Sequence, residues 1–228
     1  VPIHIHPDSG TLGVTAGKEA AALLRTALAS GREANLVIAT GASQLETLST
    51  LASAPGIAWE RVSLFHLDEY IGLSVNHKAS FRKYIQDRFI SKVGKLKEVF
   101  LINGETILSD ECRRLNTALM DRMVDVTLVG IGENGHLAFN DPPANFDTED
   151  AFIVVELDEA CRQQQLGEGW FRTINEVPRK AISMSIRQIM KSRHIVCSVP
   201  DERKAKAVQC AFSGEVTNRC PASILQQH

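Results

Sequence analysis

Short runs rich in β-branched and apolar residues alternate along this chain with stretches whose apolar positions recur every three or four residues. The runs at Asn35–Thr40, Val62–Leu67, Asp125–Ile131, Ala181–Ile186 and His194–Val199 read as strands. Asp125–Ile131 and His194–Val199 are almost continuously apolar, as strands covered on both faces are. Ile3 and Ile5 alternate with His4 and His6, a pattern that suits an edge strand. Helical stripes fall between the runs. Ala20, Leu23, Leu24, Ala27 and Leu28 form one, and Leu45, Leu48 and Ala52 a second. Phe81, Ile85, Phe89 and Ile90 form a third, Leu115, Leu119 and Met123 a fourth, and Ala205, Val208 and Phe212 within Lys204–Phe212 a fifth. Strand and helix in alternation predict an α/β fold: a doubly wound, mostly parallel, Rossmann-like sheet with helices on both faces. No repeat or linker interrupts the chain, so one domain over residues 1–228 is expected.

Composition narrows the classes of function. Of 228 residues, 44% are hydrophobic and 23% charged, which fits a packed core with a solvated surface. The net charge of −2 gives no basis for binding nucleic acid or an anionic membrane. No apolar run would span a bilayer, and the start of the chain has neither the basic region nor the apolar core of a signal peptide. Five cysteines without a C-x-x-C pair indicate neither a disulfide framework nor a structural zinc site, and a cytoplasmic protein is expected.

In open α/β sheets ligands bind beyond the carboxyl ends of the strands, and three such ends carry chemistry. After the first run, Thr40-Gly41-Ala42-Ser43 leads into a helical segment, and Ser43 with Glu46 has capping-box spacing. Free backbone N–H groups and the helix dipole favour an anion there, although an ordinary capped turn without a ligand is the simpler reading of this loop alone. Neither a P-loop nor a dinucleotide fingerprint is present. The second run ends in Asp68-Glu69-Tyr70, where a carboxylate in a partly apolar cleft would have a raised pKa suited to a base; two solvated loop charges is the alternative. The third run opens into Gly132-Glu133-Asn134-Gly135-His136, followed by Asp141-Pro142-Pro143. Asn134, His136 and Asp141 put an amide, an imidazole and a carboxylate together, and a carboxylate or amide can fix the tautomer of an acid/base histidine. Glycines, polar trio and strand end coincide here, which favours a functional reading. The stretch offers too few donors for a metal site, and no metal is expected.

The segments Phe65–Leu73 and Gly130–Pro142 resemble the acidic and histidine motifs of the glucosamine-6-phosphate deaminase family. Weaker similarities lie at Ala39–Ser43, Leu101–Gly104 and Glu176–Pro178, and the likeness runs in order from about Asn35 to His228. The resemblance implies conversion of an amino sugar phosphate, glucosamine 6-phosphate with water, to fructose 6-phosphate and ammonia. It implies no organic cofactor, and it implies a chain that often assembles into homo-oligomers. By the same resemblance, Asp68 moves a proton from C2 to C1, His136 opens the pyranose ring, and Asp141 orients His136. Asn134 stands where members carry an acid or an amide. Thr40, Gly41, Ala42, Ser43 and Lys204 would hold the phosphate.

The chain departs from the family pattern in three places. Asp141 replaces the usual glutamate, no counterpart of a phosphate-binding arginine occurs in Cys161–Phe171, and Asp147–Val155 is acidic where some members have a basic effector site. These departures leave room for a different amino sugar phosphate, and Glu168, an acid in place of a basic residue in the segment that lacks the arginine, would disfavour phosphate there. Two further readings compete: a 6-phosphogluconolactonase, which shares the fold and a related histidine loop although Asp68-Glu69-Tyr70 and Phe139–Pro142 read closer to the deaminase pattern, and a sugar-phosphate sensor without turnover.

Overall fold

The computed structural model of the protein describes residues 1–29 and 31–228. Strands β1 (Ala34–Ile38), β2 (Val62–His66), β4 (Glu98–Phe100), β5 (Val126–Val129) and β8 (His194–Cys197) form a five-stranded sheet. Its order is β4-β2-β1-β5-β8 and every pairing is parallel.

Side-chain alternation within these strands separates two cores. Leu36, Ile38, Leu64 and Leu128 face helices α1 (Ser9–Leu28), α2 (Leu45–Ala52) and α3 (Phe81–Ile85). Val37, Phe65 and Val129 face the other way, toward α4 (Leu108–Leu119), α6 (Ile186–Met190) and α7 (Ala205–Ser213). Helices thus cover both faces of the sheet, as the pattern predicts.

A second sheet was not legible as such. Strands β3 (Asp68–Tyr70), β6 (Phe152–Glu156) and β7 (Lys180–Met184) pair antiparallel in the order β3-β7-β6. The run at Ala181–Ile186 therefore belongs to this sheet, and it ends early because Ser185 caps α6 by accepting from the Gln188 N–H. Leu67 joins the sheets: its N–H donates to the Ile38 carbonyl at 3.1 Å, and its own carbonyl accepts from Met184 at 2.6 Å. The chain thereby passes from the end of one sheet into the start of the other at Asp68. Helix α5 (Glu159–Gly167) contributes Cys161 to a third apolar cluster with Tyr70, Phe81, Phe139 and Phe171.

Other elements shift from expectation. Ile3 and Ile5 form no strand, and Ile5 is 94% exposed. Helix α1 begins at Ser9, where Asp8 accepts from the Thr11 N–H, well before the Ala20 stripe. Its first half meets α2 through Gly13 and Gly17, where a Cβ would lie 2.5 Å from Glu46 and 2.6 Å from Thr50. Glycines at a helix contact leave no apolar signal, so periodicity missed this half. Met123 lies beyond α4 and is exposed. On α7 Val208 and Phe212 pack half-buried against the core as expected, but the fully buried positions are Ala207 and Ala211, and Ala205 is in solvent. Among the described residues, no helix is long and apolar enough to cross a membrane.

Candidate active site

Strands β2, β1, β5 and β8 lie side by side, and the segments after their carboxyl ends line one cleft. The chain leaves β1 toward β2 and later returns to the other side of β1 as β5, which makes this a topological switch point. The cleft is lined by Thr40, Gly41 and Ser43 after β1, Asp68 after β2, His136 after β5 and Lys204 after β8. Asp68, His136 and Lys204 are each 7% exposed. Of the residues singled out from sequence, Ala42, Asn134 and Asp141 are outside this lining.

The adjacent carboxylates at the end of β2 have opposite surroundings. Glu69 points inward and accepts hydrogen bonds from the N–H groups of Tyr70, Phe81 and Arg82 and from the Ser80 hydroxyl. Its carboxylate anchors the start of α3. Asp68 faces the cleft, with no hydrogen-bond or ion-pair partner for its carboxylate among the described residues. Burial, with a smaller contribution from the Glu69 charge, raises its pKa from 3.8 to about 8. A carboxyl group tuned this way both takes up and releases a proton near neutral pH.

The histidine loop is held from below. Gly132 N–H donates to the His136 carbonyl at 3.0 Å, and the Asn134 side-chain oxygen accepts from the His136 N–H at 3.1 Å. His136 Nδ1 lies 3.1 Å from Asp141 Oδ1, though too obliquely for a well-formed hydrogen bond. Asp141 also accepts from the Asn134 amide at 3.1 Å and the Asp158 N–H at 2.9 Å. Burial by itself would raise Asp141, but these donors and the nearby imidazole hold its carboxyl below the ordinary range. Asp141 and Asn134 thus act on His136 from behind, away from the cleft. The imidazole packs flat over Gly132, where a Cβ would meet the ring at 2.2 Å. Ala138, next to Phe139 in the cleft wall, has φ of 51°, a left-handed conformation that a non-glycine residue adopts only under constraint. Phe139 N–H donates to Ser183 and the Asn140 amide to the Met184 carbonyl, so β7 fixes the far side of the loop.

The opposite end of the cleft suits an anion. Gly41, with φ 96° and ψ 170°, adopts a backbone conformation essentially restricted to glycine, and its carbonyl accepts from the Tyr84 hydroxyl at 2.9 Å. The expected capping box does not form: Ala42–Gln44 is a 3₁₀ turn, α2 starts at Leu45, and Ser43 makes no cap hydrogen bond. Its hydroxyl remains at the cleft. The Gln44 amide ties this turn to the Ser198 carbonyl after β8 at 3.3 Å. Lys204 reaches the cleft from the 3₁₀ turn Glu202–Lys204, and no carboxylate lies within 4 Å of its ammonium among the described residues. A buried cation without a counter-charge marks a place for an anionic ligand.

Helix α5 and its C-cap supply two residues that the sequence did not identify as site-forming, Gln164 and Gln165, beside Glu168, which it singled out. Gln164, Gln165 and Glu168 line the cleft. Gln164 accepts from the Glu133 N–H at 2.8 Å, and Gln165 accepts from the Tyr70 hydroxyl at 2.6 Å. The detectable signal was the glutamine run itself, since an amide is rarely buried without a purpose. Arg162 turns away and donates to the carbonyls of Ile174 and Val177. His66, fully buried, accepts from the Ile102 N–H at 2.8 Å and is kept neutral because burial lowers its pKa to about 3. His136, Asp141 and Cys161 offer three potential ligand atoms within 4.8 Å of one another. Burial and the charges of Asp141 and Asp158 push the Cys161 thiol up, which disfavours the thiolate a metal would need.

A family model described as "Glucosamine-6-phosphate isomerases/6-phosphogluconolactonase" matches residues 7–228. The glucosamine-6-phosphate deaminase of Shouchella clausii is 36% identical over 217 residues, covering 92% of this chain and 86% of that protein. That of Listeria monocytogenes is 34% identical over 212 residues, covering 92% and 88%. A solved structure of a monomeric glucosamine-6-phosphate deaminase superposes with a TM-score of 0.90 at 30% identity, covering 100% of this chain and 94% of that one. A 6-phosphogluconolactonase from Shewanella baltica superposes with a TM-score of 0.79 at 17% identity, covering 98% and 91%, a likeness of fold.

The contact of Gly132 with the imidazole and the burial of Asp68 each have a measurable consequence. Gly132→Ala drives a methyl group into the His136 ring; it should displace the imidazole resonances in ¹⁵N NMR spectra and cost about 1–3 kcal/mol in urea unfolding. Unchanged imidazole resonances would contradict the packing. Because the Asp68 pKa is raised in the fold, the stability it contributes is present below pH 4 and is lost as pH rises through about 8. Asp68→Asn escapes that loss, so its melting temperature relative to wild type should climb between pH 4 and 8 and then level. A difference independent of pH would show that Asp68 is not desolvated.

Proposed function

The chain belongs to the glucosamine-6-phosphate isomerase/6-phosphogluconolactonase family, and from that membership we infer that it is a glucosamine-6-phosphate deaminase, converting glucosamine 6-phosphate and water to fructose 6-phosphate and ammonia. The observation that carries the reading is the pairing, in one cleft, of an unpartnered carboxylate tuned to about 8 with a supported imidazole. Lactonase neighbours share the fold at identities too low to speak for their reaction.

The chemistry divides between the two ends of the cleft. Lys204, Ser43, Thr40 and the Gly41 backbone hold the phosphate, and that binding energy aligns the sugar over the other groups. Ala42 contributes backbone at most, since its side chain is exposed. His136 gives a proton to the ring oxygen while the hydroxyl at C1 passes its own to water, which opens the pyranose to the aldehyde. Asp141 supports the positive imidazole, and Asn134 holds Asp141 in place. Asp68 then removes the C2 proton while the C1 oxygen takes one from water, forming an enolamine, and returns the proton to C1 as the nitrogen releases one to water, giving a ketimine. Water adds to the ketimine at C2, and ammonia leaves with the ketose formed. One carboxylate serves both proton steps because C1 and C2 are neighbours and its raised pKa allows both uptake and release. Leu67, Phe81 and Phe139 share the cleft lining with Asp68 and supply its apolar surroundings.

The direct test is ammonia release across a panel of amino sugar phosphates, with glucosamine 6-phosphate expected to be the preferred substrate; no ammonia from any of them would refute the reading. Asp68→Asn should lower solvent exchange of the C2 proton by at least about 100-fold while substrate still binds. Retained exchange in that variant would remove Asp68 from the proton transfer. His136→Gln should slow turnover of the closed ring about 100-fold and spare a substrate delivered in open-chain form, whereas equal losses on both would contradict a role in ring opening.

A further inference from the structure

At the anion end of the cleft, a carboxylate stands where added positive charge would be expected. Glu168 Oε2 lies 3.8 Å from where a Cβ on Gly41 would be, and Oε1 lies 3.4 Å from the Gln164 amide nitrogen. Glu168 shares the cleft wall with Thr40, Ser43 and Lys204. No ion pair holds it among the described residues. The other charged and titratable groups around it come from four elements. Lys204, from the turn before α7, lines the same cleft. Arg203 sits on the same turn but is engaged by Asp201 and, at 3.4 Å, by Glu133. Asp68 and His136 lie farther along the cleft. Tyr70 and Tyr84 come from β3 and α3, and burial pushes both phenols up, so they remain neutral. Lys204 is therefore the one Lys or Arg among the described residues that lines the cleft with Glu168, and Arg203 acts on Glu168 only through its charge at longer range.

A fully ionised phosphate bound here would touch Lys204 on one side and meet like charge on the other, and like charges a few ångströms apart in a sheltered cleft repel strongly. A single proton between the two anions turns that repulsion into a charge-assisted hydrogen bond. A phosphate monoester can supply that proton, because its second ionisation lies near pH ~6. A sulfate ester has no proton to give at that pH. We propose that Glu168 makes the anion end selective for a phosphoryl group carrying a proton, so that the cleft accepts phosphate monoesters and rejects sulfate esters of the same amino sugar. In this arrangement P–OH donates to Glu168, while the other phosphoryl oxygens accept from Lys204, the Ser43 hydroxyl and the backbone at Gly41. The proposal rests on the assignment of this end to phosphate made above.

The test is an NMR titration of the Gly41 and Ser43 amide resonances at pH 6.5 with inorganic phosphate and, separately, inorganic sulfate. Wild type should bind phosphate at least about tenfold more tightly than sulfate, and Glu168→Gln should bring the two within about threefold. Equal binding by wild type, or undiminished discrimination in Glu168→Gln, would overturn the proposal. Lys204→Ala separates this failure from that of the underlying reading. It should lose both anions; if it binds phosphate as wild type does, the anion end lies elsewhere and both fall. If it loses phosphate while Glu168→Gln still discriminates, the selectivity alone falls.

Discussion

Burial of the Asp68 carboxylate, with no donor among the described residues to share its charge, is the constraint on which the rest of the site depends. A carboxylate in that position is held against its own preference, since water would stabilise its ionised form. Its neighbour Glu69 shows the other solution to the same problem. Four donors converge on Glu69, and it becomes a structural anchor for α3. Adjacent residues point to opposite faces of a strand, so one acid can be satisfied and the next exposed to the cleft at no cost in backbone geometry. The satisfied acid helps to fix the backbone from which the unsatisfied one projects.

The same separation of support from chemistry recurs at His136. The imidazole is the group in the cleft, while Asp141, Asn134 and Asp158 form a polar chain behind it. Ser183 on β7 and Gln164 on α5 fasten the loop at two further points. The second, antiparallel sheet therefore braces the site in two ways. Through Leu67 and Met184 it continues the end of β2, and through Ser183 it holds the histidine loop. The two strand ends that carry the proton chemistry are secured by one common element.

Much of this was readable from residue pattern. The alternation of Leu36 and Ile38 with Val37 fits a strand buried on both sides, and the loops after three such runs carried the acid, the histidine and the small residues that the cleft brings together. What escaped the sequence has physical causes. The strand Lys180–Met184 is as apolar as its neighbours, and apolarity does not encode whether a partner runs parallel or antiparallel. The first half of α1 packs through Gly13 and Gly17, which lack the side chains that periodicity detects. Ser43 and Glu46 had the spacing of a cap, but the chain enters α2 through a 3₁₀ turn. The role of Gln164 and Gln165 was hidden because polar residues on a helix usually face solvent, and only the fold turns this face inward, whereas Glu168 stood out as an acid in the segment that lacks the arginine.

The account stands on Asp68 and the phosphate cradle addressing two ends of a single bound sugar. A crystal structure with a reduced, open-chain amino alditol 6-phosphate measures this directly, because that ligand mimics the opened substrate and cannot react. The account predicts the phosphate against Lys204 and Ser43, with C1 and C2 both about 3–3.5 Å from one Asp68 oxygen. A ligand whose phosphate occupies the cradle while C1 and C2 point away from Asp68, or one bound outside the cleft, would contradict it.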